Sequence, residues 1–357
     1  MKRCIAITTG GGDAPGLNAV IRAAALAAHR RGWEVLGVRR GYAGLLNTEE
    51  TIPLTRDNIR GIAHQGGTIL GTTNRGDPFA YCERGETTPR DRSDEVVKNF
   101  RQLGLDALLC VGGDGSMRIA HKLHQKGIPI VGIPKTIDND LSGTAVTFGF
   151  DTAVKVASEA LDSLHPTAEA HERVFVVEVM GRYAGWIALH AGVSGGADVI
   201  LIPEIPVNVD AVCRKIQERE RSGRHFSLVV AAEGARLDGA TVTREEAKPG
   251  GVERLGGVAE RLAERIAERT GKETRSLVLG HLQRGGNPTA RDRIIATRFG
   301  AAAVRQVESG EFGVMVALDP PQVLTVPLAE ASRMKTIPLD DDTVLTARDL
   351  GICLGDE

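Results

Sequence analysis

The chain has 357 residues, of which 42% are hydrophobic and 25% charged, and this globular composition excludes the disordered and fibrous classes. Its 44 Lys and Arg residues nearly balance 46 Asp and Glu residues, and only 4% of residues are aromatic, so we expect neither a nucleic-acid partner nor a membrane partner. Five scattered cysteines, the lack of an apolar N-terminal signal region and the lack of any membrane-length stretch predict a cytoplasmic protein.

The N-terminal region predicts a buried strand over 3–9, a glycine-rich turn over 10–16 and then a helix. Such a turn exposes backbone N–H groups at a helix N-terminus, where a phosphate is stabilised. The glycine spacing matches neither the G-x-G-x-x-G dinucleotide pattern nor the G-x-x-x-x-G-K-[ST] loop. The turn is therefore a phosphate-loop candidate of neither common kind, and the alternative is a tight turn that needs glycine for conformational reasons alone.

A second strand, glycine turn and helix follow further along the chain. Residues 106–111 predict a continuous apolar strand, residues 112–116 read G-G-D-G-S, and a helix is expected from Met117. Asp114 lies where a carboxylate can hold Mg²⁺ against phosphate oxygens, and the glycines beside it let the backbone approach a ligand closely.

The strand predicted over 128–133 runs into a loop that carries two carboxylates. Asp138 and Asp140 lie two residues apart in this loop, which also holds Lys135 and Thr136. Repeated strand–loop–helix order predicts a parallel sheet whose ligand crevice follows the carboxyl ends of the strands. Either carboxylate is therefore placed to act as a base.

The second half of the chain begins another series of strands and helices, starting with the helix predicted over 150–164. Five residues that carry or can carry positive charge lie at or near the ends of its predicted strands: Arg173, Arg182, Arg275, His281 and Arg284. Each alone is typical of a surface charge or a structural histidine. Their recurrence in a chain of net charge −2 predicts a local anion site, because arginine forks pair well with phosphate.

These parts together describe phosphoryl transfer to an anionic small molecule. The glycine turns cradle phosphate, Asp114 holds Mg²⁺, and Asp138 or Asp140 accepts the proton of the attacking hydroxyl. Arg182 neutralises the transferring oxygens. Glu233, at the end of a predicted strand, either accepts from sugar hydroxyls or caps a helix. From residue chemistry alone, the prediction stops at a kinase of this general kind.

Five motifs in a fixed order resemble the phosphofructokinase family over most of the chain. They are G-G-D-A-P-G-L-N (11–18), G-G-D-G-S (112–116), P-K-T-I-D-N-D (134–140), V-E-V-M-G-R (177–182) and G-H-L-Q-R-G-G (280–286). The resemblance implies an α/β fold of two Rossmann-like three-layer domains with largely parallel sheets and the active site in the cleft between them.

The resemblance also implies which domain binds which substrate. The phosphoryl-donor (ATP) domain is expected to comprise 1–149 plus about 283–333, and the fructose 6-phosphate domain 150–282 plus about 334–357. The implied reaction is the glycolytic transfer of a phosphoryl group to the 1-hydroxyl of fructose 6-phosphate, with Mg²⁺ as cofactor.

Specific roles follow from the family pattern, position by position. The implied base is Asp138, assisted at the acceptor by Thr136 and Asp140, with Asp114 on Mg²⁺ and Arg182 on the transferring phosphoryl group. The implied donor contacts are Gly12, Tyr42, Arg75, Gly113, Asp114, Gly115, Ser116 and Lys135. The implied sugar-phosphate contacts are Thr136, Asp138, Met180, Gly181, Arg182, Glu233, His281 and Arg284, with Arg173 and Arg275 from a neighbouring subunit. Active sites shared in this way imply a homodimer or homotetramer.

Two positions bear on the identity of the donor. Pyrophosphate-using members resemble one another in having aspartate at the position of Gly115 and lysine at that of Lys135, whereas ATP users generally have glycine at both. Gly115 leaves room and no negative charge where an α-phosphate would lie, and Lys135 excludes neither donor. ATP is therefore the preferred prediction, and pyrophosphate is the alternative.

The resemblance leaves other questions open. In the allosteric bacterial enzymes two arginines on the first helix belong to the effector site; Arg22 fits one position, but Leu26 occupies the other, so we expect weakened or absent regulation by nucleotide diphosphate and phosphoenolpyruvate. The sugar is fructose 6-phosphate or a relative such as sedoheptulose 7-phosphate. An NAD or lipid kinase leaves the motifs at 134–140 and 280–286 unexplained, a non-catalytic sugar-phosphate sensor does not need Asp138, and a dehydrogenase lacks its fingerprint.

Overall fold

The computed structural model describes residues 2–83, 85–86, 88–245 and 254–356. The strands, in chain order, are β1 (Cys4–Thr9), β2 (Glu34–Val38), β3 (Thr51–Pro53), β4 (Ala107–Gly112), β5 (Ile130–Thr136), β6 (Phe148–Gly149), β7 (Val174–Val179), β8 (Val199–Leu201), β9 (Ser227–Ala232), β10 (Thr243–Glu245), β11 (Arg254–Leu255), β12 (Thr274–Val278), β13 (Val314–Asp319) and β14 (Gln322–Pro327). The helices are α1 (Leu17–His29), α2 (Ser93–Gln102), α3 (Asp114–Gln125), α4 (Phe150–His171), α5 (Trp186–Ser194), α6 (Val209–Arg221), α7 (Val258–Thr270), α8 (Ala290–Ser309), α9 (Leu328–Ala331) and α10 (Asp342–Asp349).

Two main sheets organise these elements. The first has the order β14-β13-β5-β4-β1-β2-β3, with the short β6 paired to the end of β5. Its central pairs are parallel, and the edge pairs β2–β3 and β13–β14 are antiparallel. The second sheet has the order β12-β7-β9-β8 and is parallel between all of these strands. The predicted two-domain α/β fold with largely parallel sheets is confirmed; the domain boundaries stay a prediction.

Continuous apolar sequence explains why the central strands are buried on both faces. Every residue of β4 (A-L-L-C-V-G) and β9 (S-L-V-V-A-A) is buried, as expected where helices cover both sides of a sheet. One hydrophobic cluster joins the two sheets, since it includes Ile7 of β1, Leu161 of α4 and Val177 of β7. Within the described ranges, no helix combines the length and apolarity needed to cross a membrane.

Helices α4 and α8 begin side by side and cap one another. Thr289 Oγ1 donates to Asp151 Oδ2 at 2.6 Å, while the N–H and Oγ1 of Thr152 donate to Asp292 Oδ2 at 2.8 and 2.6 Å. Asp292 is fully buried, and this burial raises the pKa of its carboxyl group. Because β6 directly precedes α4 and pairs with the end of β5, these contacts fix the start of α4 beside that strand end.

Two element boundaries next to the predicted site differ from the sequence prediction. Helix α3 begins at Asp114 and not at Met117, because a carboxylate in the first turn interacts favourably with the positive end of the helix dipole. The strand predicted over 128–133 continues to Thr136, since its end pairs with β6. Lys135 and Thr136 therefore close a strand, which gives both a fixed backbone, and do not belong to the loop.

Candidate active site

The carboxyl ends of the central strands bring the predicted motifs together. In the first sheet, Thr9 pairs with Val111 and Gly112 pairs with Pro134, so the loops after β1, β4 and β5 lie side by side. In the second sheet, β7, β9 and β12 are neighbours, and their carboxyl ends lead to 180–182, to Glu233 and to the 3₁₀ helix Gly280–Arg284. Each sheet therefore gathers one half of the predicted residues at one edge.

Lys135 supplies a buried positive charge to the glycine-rich loop after β1. The residue is 3% exposed, and its ammonium donates a hydrogen bond to the carbonyl of Gly12. Burial is the main reason that the pKa of Lys135 falls to about 8, and Arg284 lowers it further, whereas three nearby carboxylates oppose the fall. The ammonium is therefore still mainly charged at pH 7, directly behind a candidate phosphate cradle.

Arg284 connects the two halves of the site. It follows β12 in the second sheet, yet its Nη1 donates to the carbonyl of Asp13 in the first-sheet glycine loop at 3.1 Å. A Cβ atom on Gly12 would lie 2.8 Å from Nη1, so glycine at that position makes room for the guanidinium. The predicted sugar-phosphate ligand thus lies against the predicted donor loop.

The backbone of the G-G-D-G-S segment accepts a hydrogen bond from a buried tyrosine. Gly113 precedes α3, and Asp114 is its first residue, with a side chain that is 41% exposed and pairs with Arg118 at 2.9 Å. Tyr42 is 3% exposed, and its hydroxyl donates to the carbonyl of Ser116 at 2.7 Å. Tyr42 therefore reaches the predicted donor loop through that backbone.

Gly115 and Arg75 complete the donor side. A Cβ atom added to Gly115 would have no atom within 4 Å, so there is open space beside this part of the loop. Arg75 is exposed; its N–H donates to Thr73 Oγ1 at 3.1 Å, and the carbonyl of Thr73 accepts from the N–H of Gly11 at 3.2 Å. The Arg75 loop is therefore attached to the glycine loop after β1.

Asp114 is the predicted Mg²⁺ ligand. Among the described residues, no group of three or more His, Cys, Asp or Glu side chains is arranged to hold a metal ion. Mg²⁺ in phosphoryl-transfer sites is commonly held by one or two carboxylates, water and the substrate phosphates. A half-exposed carboxylate at a helix start beside a glycine loop fits such an ion, provided that the partly exposed Arg118 releases it.

Two carboxylates with raised pKa values follow the end of β5. Asp138 Oδ1 is buried and has no hydrogen-bond partner within the part of the chain that the structure describes. Burial raises the pKa of Asp138, Asp114 adds to the rise, and Arg284 and Lys135 oppose it. Burial, then the charges of Asp138 and Asp114, raise the pKa of Asp140 to about 7. An unpaired, buried carboxylate oxygen with a raised pKa is suited to receive a proton from a bound hydroxyl.

The loop that carries these carboxylates is closed by Thr147, which no sequence motif had indicated. Thr147 is fully buried; its Oγ1 donates to the carbonyl of Thr136 at 2.7 Å and its N–H to Asn139 Oδ1 at 3.1 Å. Asn139 has φ of 52°, a left-handed conformation that asparagine tolerates better than most residues. Thr136 Oγ1 accepts from the N–H of Asp138 at 3.1 Å, so both ends of the loop are fixed.

The acceptor side is built by loops of the second sheet. Met180 donates its N–H to Gln283 Oε1 at 2.8 Å, and Gln283 is fully buried although its role was not predicted. Burial, followed by the charges of Asp138 and Glu178, raises the pKa of Glu233 to about 7, while Arg284 and Arg182 oppose the rise. Arg284 therefore opposes the rise in pKa at both Asp138 and Glu233.

The remaining predicted ligands are distributed unevenly. Gly181 has φ of 143°, and the Arg182 guanidinium lies 5.0 Å from the centre of the Tyr183 ring. His281 is exposed at the carboxyl end of β12. Arg173 precedes the opposite end of β7, about 20 Å from Met180 for an extended strand of that length, and it shares Glu273 with Arg275. The structure thus does not bring these last two arginines to this chain's own cluster.

Known proteins with sequences similar to this chain agree with this arrangement of motifs. The family model described as Phosphofructokinase matches residues 4–307. An ATP-dependent 6-phosphofructokinase of Chloroflexus aurantiacus is 50% identical over 357 residues, covering 100% of this chain and 99% of that protein. A protein of Synechocystis sp. named ATP-dependent 6-phosphofructokinase 1 is also 50% identical, covering 99% and 98% of the two chains.

A solved structure is similar over the same length. The pyrophosphate-dependent phosphofructokinase of Marinobacter aquaeolei superposes with a TM-score of 0.81 at 25% identity, covering 99% of this chain and 92% of that one. The same fold therefore occurs in a protein named for the other donor. The matched motifs, the family model and the full-length relatives agree that the chain belongs to the phosphofructokinase family.

Proposed function

We propose that this chain is an ATP-dependent 6-phosphofructokinase, which converts fructose 6-phosphate and ATP into fructose 1,6-bisphosphate and ADP in the glycolytic direction. The observation that carries the proposal is the unpaired, buried carboxylate oxygen of Asp138, which lies in the loop next to the G-G-D-G-S loop and whose pKa is lowered by the charges of Arg284 and Lys135 against the effect of burial. Full-length relatives that share 50% of their residues with this chain bear the name of that activity. We further expect the protein to act in the cytoplasm.

In the proposed reaction, the 1-hydroxyl of the sugar attacks the γ-phosphorus of ATP while its proton passes to Asp138. The bond from the γ-phosphorus to the bridging oxygen breaks, and ADP leaves with the electron pair. Lys135, Arg284 and Arg182 screen the charge that is shared by the attacking and leaving oxygens. Asp114 would hold Mg²⁺, which screens the donor phosphates when bound.

The donor preference rests on Gly115, because Lys135 can serve either donor. The space beside Gly115 can receive the α-phosphate of a nucleotide without steric or electrostatic conflict. The Lys135 ammonium is held by the carbonyl of Gly12, so it supports phosphate in the cradle that either donor would occupy. Lys135 is therefore compatible with both donors, and Gly115 is the residue that favours ATP.

We also propose a homo-oligomer, a dimer or a tetramer, whose active sites are shared between subunits. Arg173 and Arg275 lie at the far end of the second sheet from His281, so they can serve as phosphate ligands only for a neighbouring copy. The edge strand β12 exposes Leu277 and Val278, which are 38% and 40% accessible. Exposed apolar residues beside unused phosphate ligands are typical of a subunit interface.

The test is direct product analysis with purified protein. Fructose 6-phosphate, ATP and Mg²⁺ should give fructose 1,6-bisphosphate and ADP in equal amounts. The formation of both products is measured by ³¹P NMR. Chelation of Mg²⁺ should abolish the reaction. Sedoheptulose 7-phosphate, assayed in parallel, should give a lower kcat/KM. Failure to form fructose 1,6-bisphosphate from ATP, under conditions in which the protein is folded, would refute the proposed function.

A further inference from the structure

Residues 333–337 lie outside every motif that pointed to catalysis, yet they hydrogen-bond to the loop after β5. The carbonyl of Arg333 accepts from the N–H of Ser142 at 3.1 Å, and the N–H of Lys335 donates to the carbonyl of Asp140 at 2.7 Å. Between them, Met334 forms an antiparallel bridge with Leu141. This C-terminal segment thus runs alongside the residues that directly follow Asp138.

The side chain of Lys335 holds the same loop at a second point. Its ammonium donates to the carbonyls of Thr144 and Ala145 at 3.2 and 3.0 Å. Burial lowers the pKa of Lys335 to about 8, and the charges of Asp140 and Asp341 oppose this fall. One residue therefore satisfies backbone carbonyls on both sides of the bend between 140 and 145.

The opposite side of Lys335 contacts the second half of the molecule. Trp186, at the start of α5, donates from its indole Nε1 to the carbonyl of Lys335 at 3.3 Å, and the ammonium lies 5.2 Å from the centre of the indole ring. Two residues later, the N–H of Ile337 donates to Glu204 Oε1 at 2.9 Å. Glu204 also accepts from the N–H of Gly185, next to Trp186.

We propose that Lys335 is a positioning residue for phosphoryl transfer, which fixes the loop carrying Asp138 and Asp140 against helix α5 of the second half. The inference rests on the proposed function, because it concerns the geometry of that reaction. Thr136 and Asp138 lie at the carboxyl end of the first sheet, whereas the other predicted sugar contacts follow strands of the second sheet. Turnover therefore requires a fixed distance between these two groups of residues. Lys335 forms hydrogen bonds both to the loop after β5 and to helix α5 of the second half.

The expected effect is on turnover more than on affinity. Without the ammonium, two carbonyls lose a donor and the bend between 140 and 145 loses its external support. A displacement of about 1 Å at a reacting group can lower a rate about 100-fold. ATP contacts on the glycine loops do not touch Lys335, so the KM for ATP should not change.

The primary variants are Lys335→Met, which keeps most of the side-chain volume, and Lys335→Arg, which keeps the charge and the donors. Lys126→Met is the matched control, because Lys126 likewise combines an oxygen acceptor, here the Asp94 carboxylate at 2.8 Å, with an aromatic ring at 5.7 Å, but follows the far end of α3 from Asp114. Trp186→Phe keeps an aromatic ring, removes the hydrogen bond to the Lys335 carbonyl and leaves a smaller ring at this buried position.

We expect Lys335→Met to lower kcat about 10- to 100-fold, with KM values for ATP and fructose 6-phosphate within about threefold of wild type. Lys335→Arg should recover most of the loss, and Lys126→Met should retain wild-type kcat. Trp186→Phe should lower kcat to a smaller extent, and the double variant with Lys335→Met should lose less than the product of the two single effects.

Wild-type kcat in folded Lys335→Met, measured well below its Tm, would overturn the inference. Equal losses in Lys335→Met and Lys126→Met would overturn it too, since general destabilisation would then explain both. If Lys335→Met does not fold, Trp186→Phe decides: an unchanged kcat rejects the inference and a lowered one supports it. Failure of the proposed function is separately visible, because the wild type would then form no product from ATP.

Discussion

The two sides of the proposed active site differ in how completely one chain builds them. On the donor side, Lys135 is buried behind the glycine loop, and Thr147 closes the loop that bears Asp138 through two hydrogen bonds. On the sugar-phosphate side, Arg173 and Arg275 lie at the far end of their sheet and share an exposed glutamate. The groups proposed for chemistry are therefore preorganised within the chain, whereas in the proposed oligomer two of the sugar-phosphate ligands come from a neighbouring copy.

The buried carboxylates at the centre of the site carry an energetic cost that the exposed arginines at the far end of the second sheet do not. Burial raises the pKa of Asp138, and it raises those of Asp140 and Glu233 to about 7. Each ionised carboxylate in this cluster is thus held at the expense of folding stability. Such costs are typical of functional sites, because a base needs a pKa near the operating pH.

The largest effect is expected from removing the base on the preorganised side. Asp138→Asn should lower kcat by about 10²–10⁴, because amide nitrogen and oxygen cannot accept the hydroxyl proton. Fructose 6-phosphate binding, measured by calorimetry, should remain within about tenfold of wild type, since the arginines are untouched. Near-normal turnover would reject Asp138 as the base and direct attention to Asp140.

A charge placed beside the donor loop should come next in magnitude. A Cβ atom at Gly115 has no protein atom within 4 Å, so Gly115→Asp paired with Gly115→Asn separates charge from packing. We expect its kcat/KM for ATP to fall about 100-fold, because the carboxylate would repel the α-phosphate. Gly115→Asn, of equal size and without charge, is the control and should lose less than about tenfold. Equal losses in both variants would assign the effect to volume.

Substitutions on the sugar-phosphate side should change the affinity for fructose 6-phosphate more than the turnover rate. Arg275→Ala should raise the KM for fructose 6-phosphate about tenfold with little change in kcat, because it removes one charge-assisted phosphate contact. Arg269→Ala, an exposed arginine of α7 paired with Asp210, is the control and should behave as wild type.

Mixing subunits distinguishes a shared site from a local one. Arg275→Ala and His281→Ala subunits, unfolded and refolded together, should regenerate sites that contain neither substitution, with wild-type KM. Mixtures that show only the mutant KM values would contradict a site shared between subunits.

The smallest expected effect is a gain in stability on the preorganised side. The folded-state pKa of Asp140, about 7, lies above its ordinary value of 3.8, so ionisation costs stability progressively as pH rises between these values. Asp140→Asn should therefore equal wild type in free energy of unfolding below pH 4 and exceed it by on the order of 1–4 kcal/mol at pH 8, without ligands. Asp162→Asn, on the exposed face of α4, is the control. A pH-independent difference would show that the carboxylate is not the cause.

The sequence predicted those parts of the molecule that depend on local pattern. Continuous apolar runs indicated β4 and β9, and glycine turns before helices indicated the loops that β1 and β4 deliver. The five motifs, through their resemblance to one protein family, identified the fold class. Pairing between distant segments lay beyond this reasoning: β6 extends β5 through Thr136, and no local pattern in P-K-T-I-D-N-D reveals that contact.

The sequence predicted which residues form the site, but it did not predict which other residues hold their loops in place. Thr147, Gln283 and Lys335 belong to no recognised chemistry when read singly, because each acts by bonding a backbone group of another segment, 11, 103 and 190 residues away respectively. Such contacts depend on the assembled sheets. Conversely, Arg173 and Arg275 were grouped with the other cations by sequence, and only the strand directions separate them.

The most direct test of the central claim is a parallel measurement of initial rates with the two donors. Purified wild-type protein, fructose 6-phosphate and Mg²⁺ are supplied with either ATP or pyrophosphate, and fructose 1,6-bisphosphate is measured in a coupled assay. We expect kcat/KM with ATP to exceed that with pyrophosphate at least about tenfold, since Gly115 leaves the α-phosphate space free of negative charge. Product formation with pyrophosphate and none with ATP would contradict it.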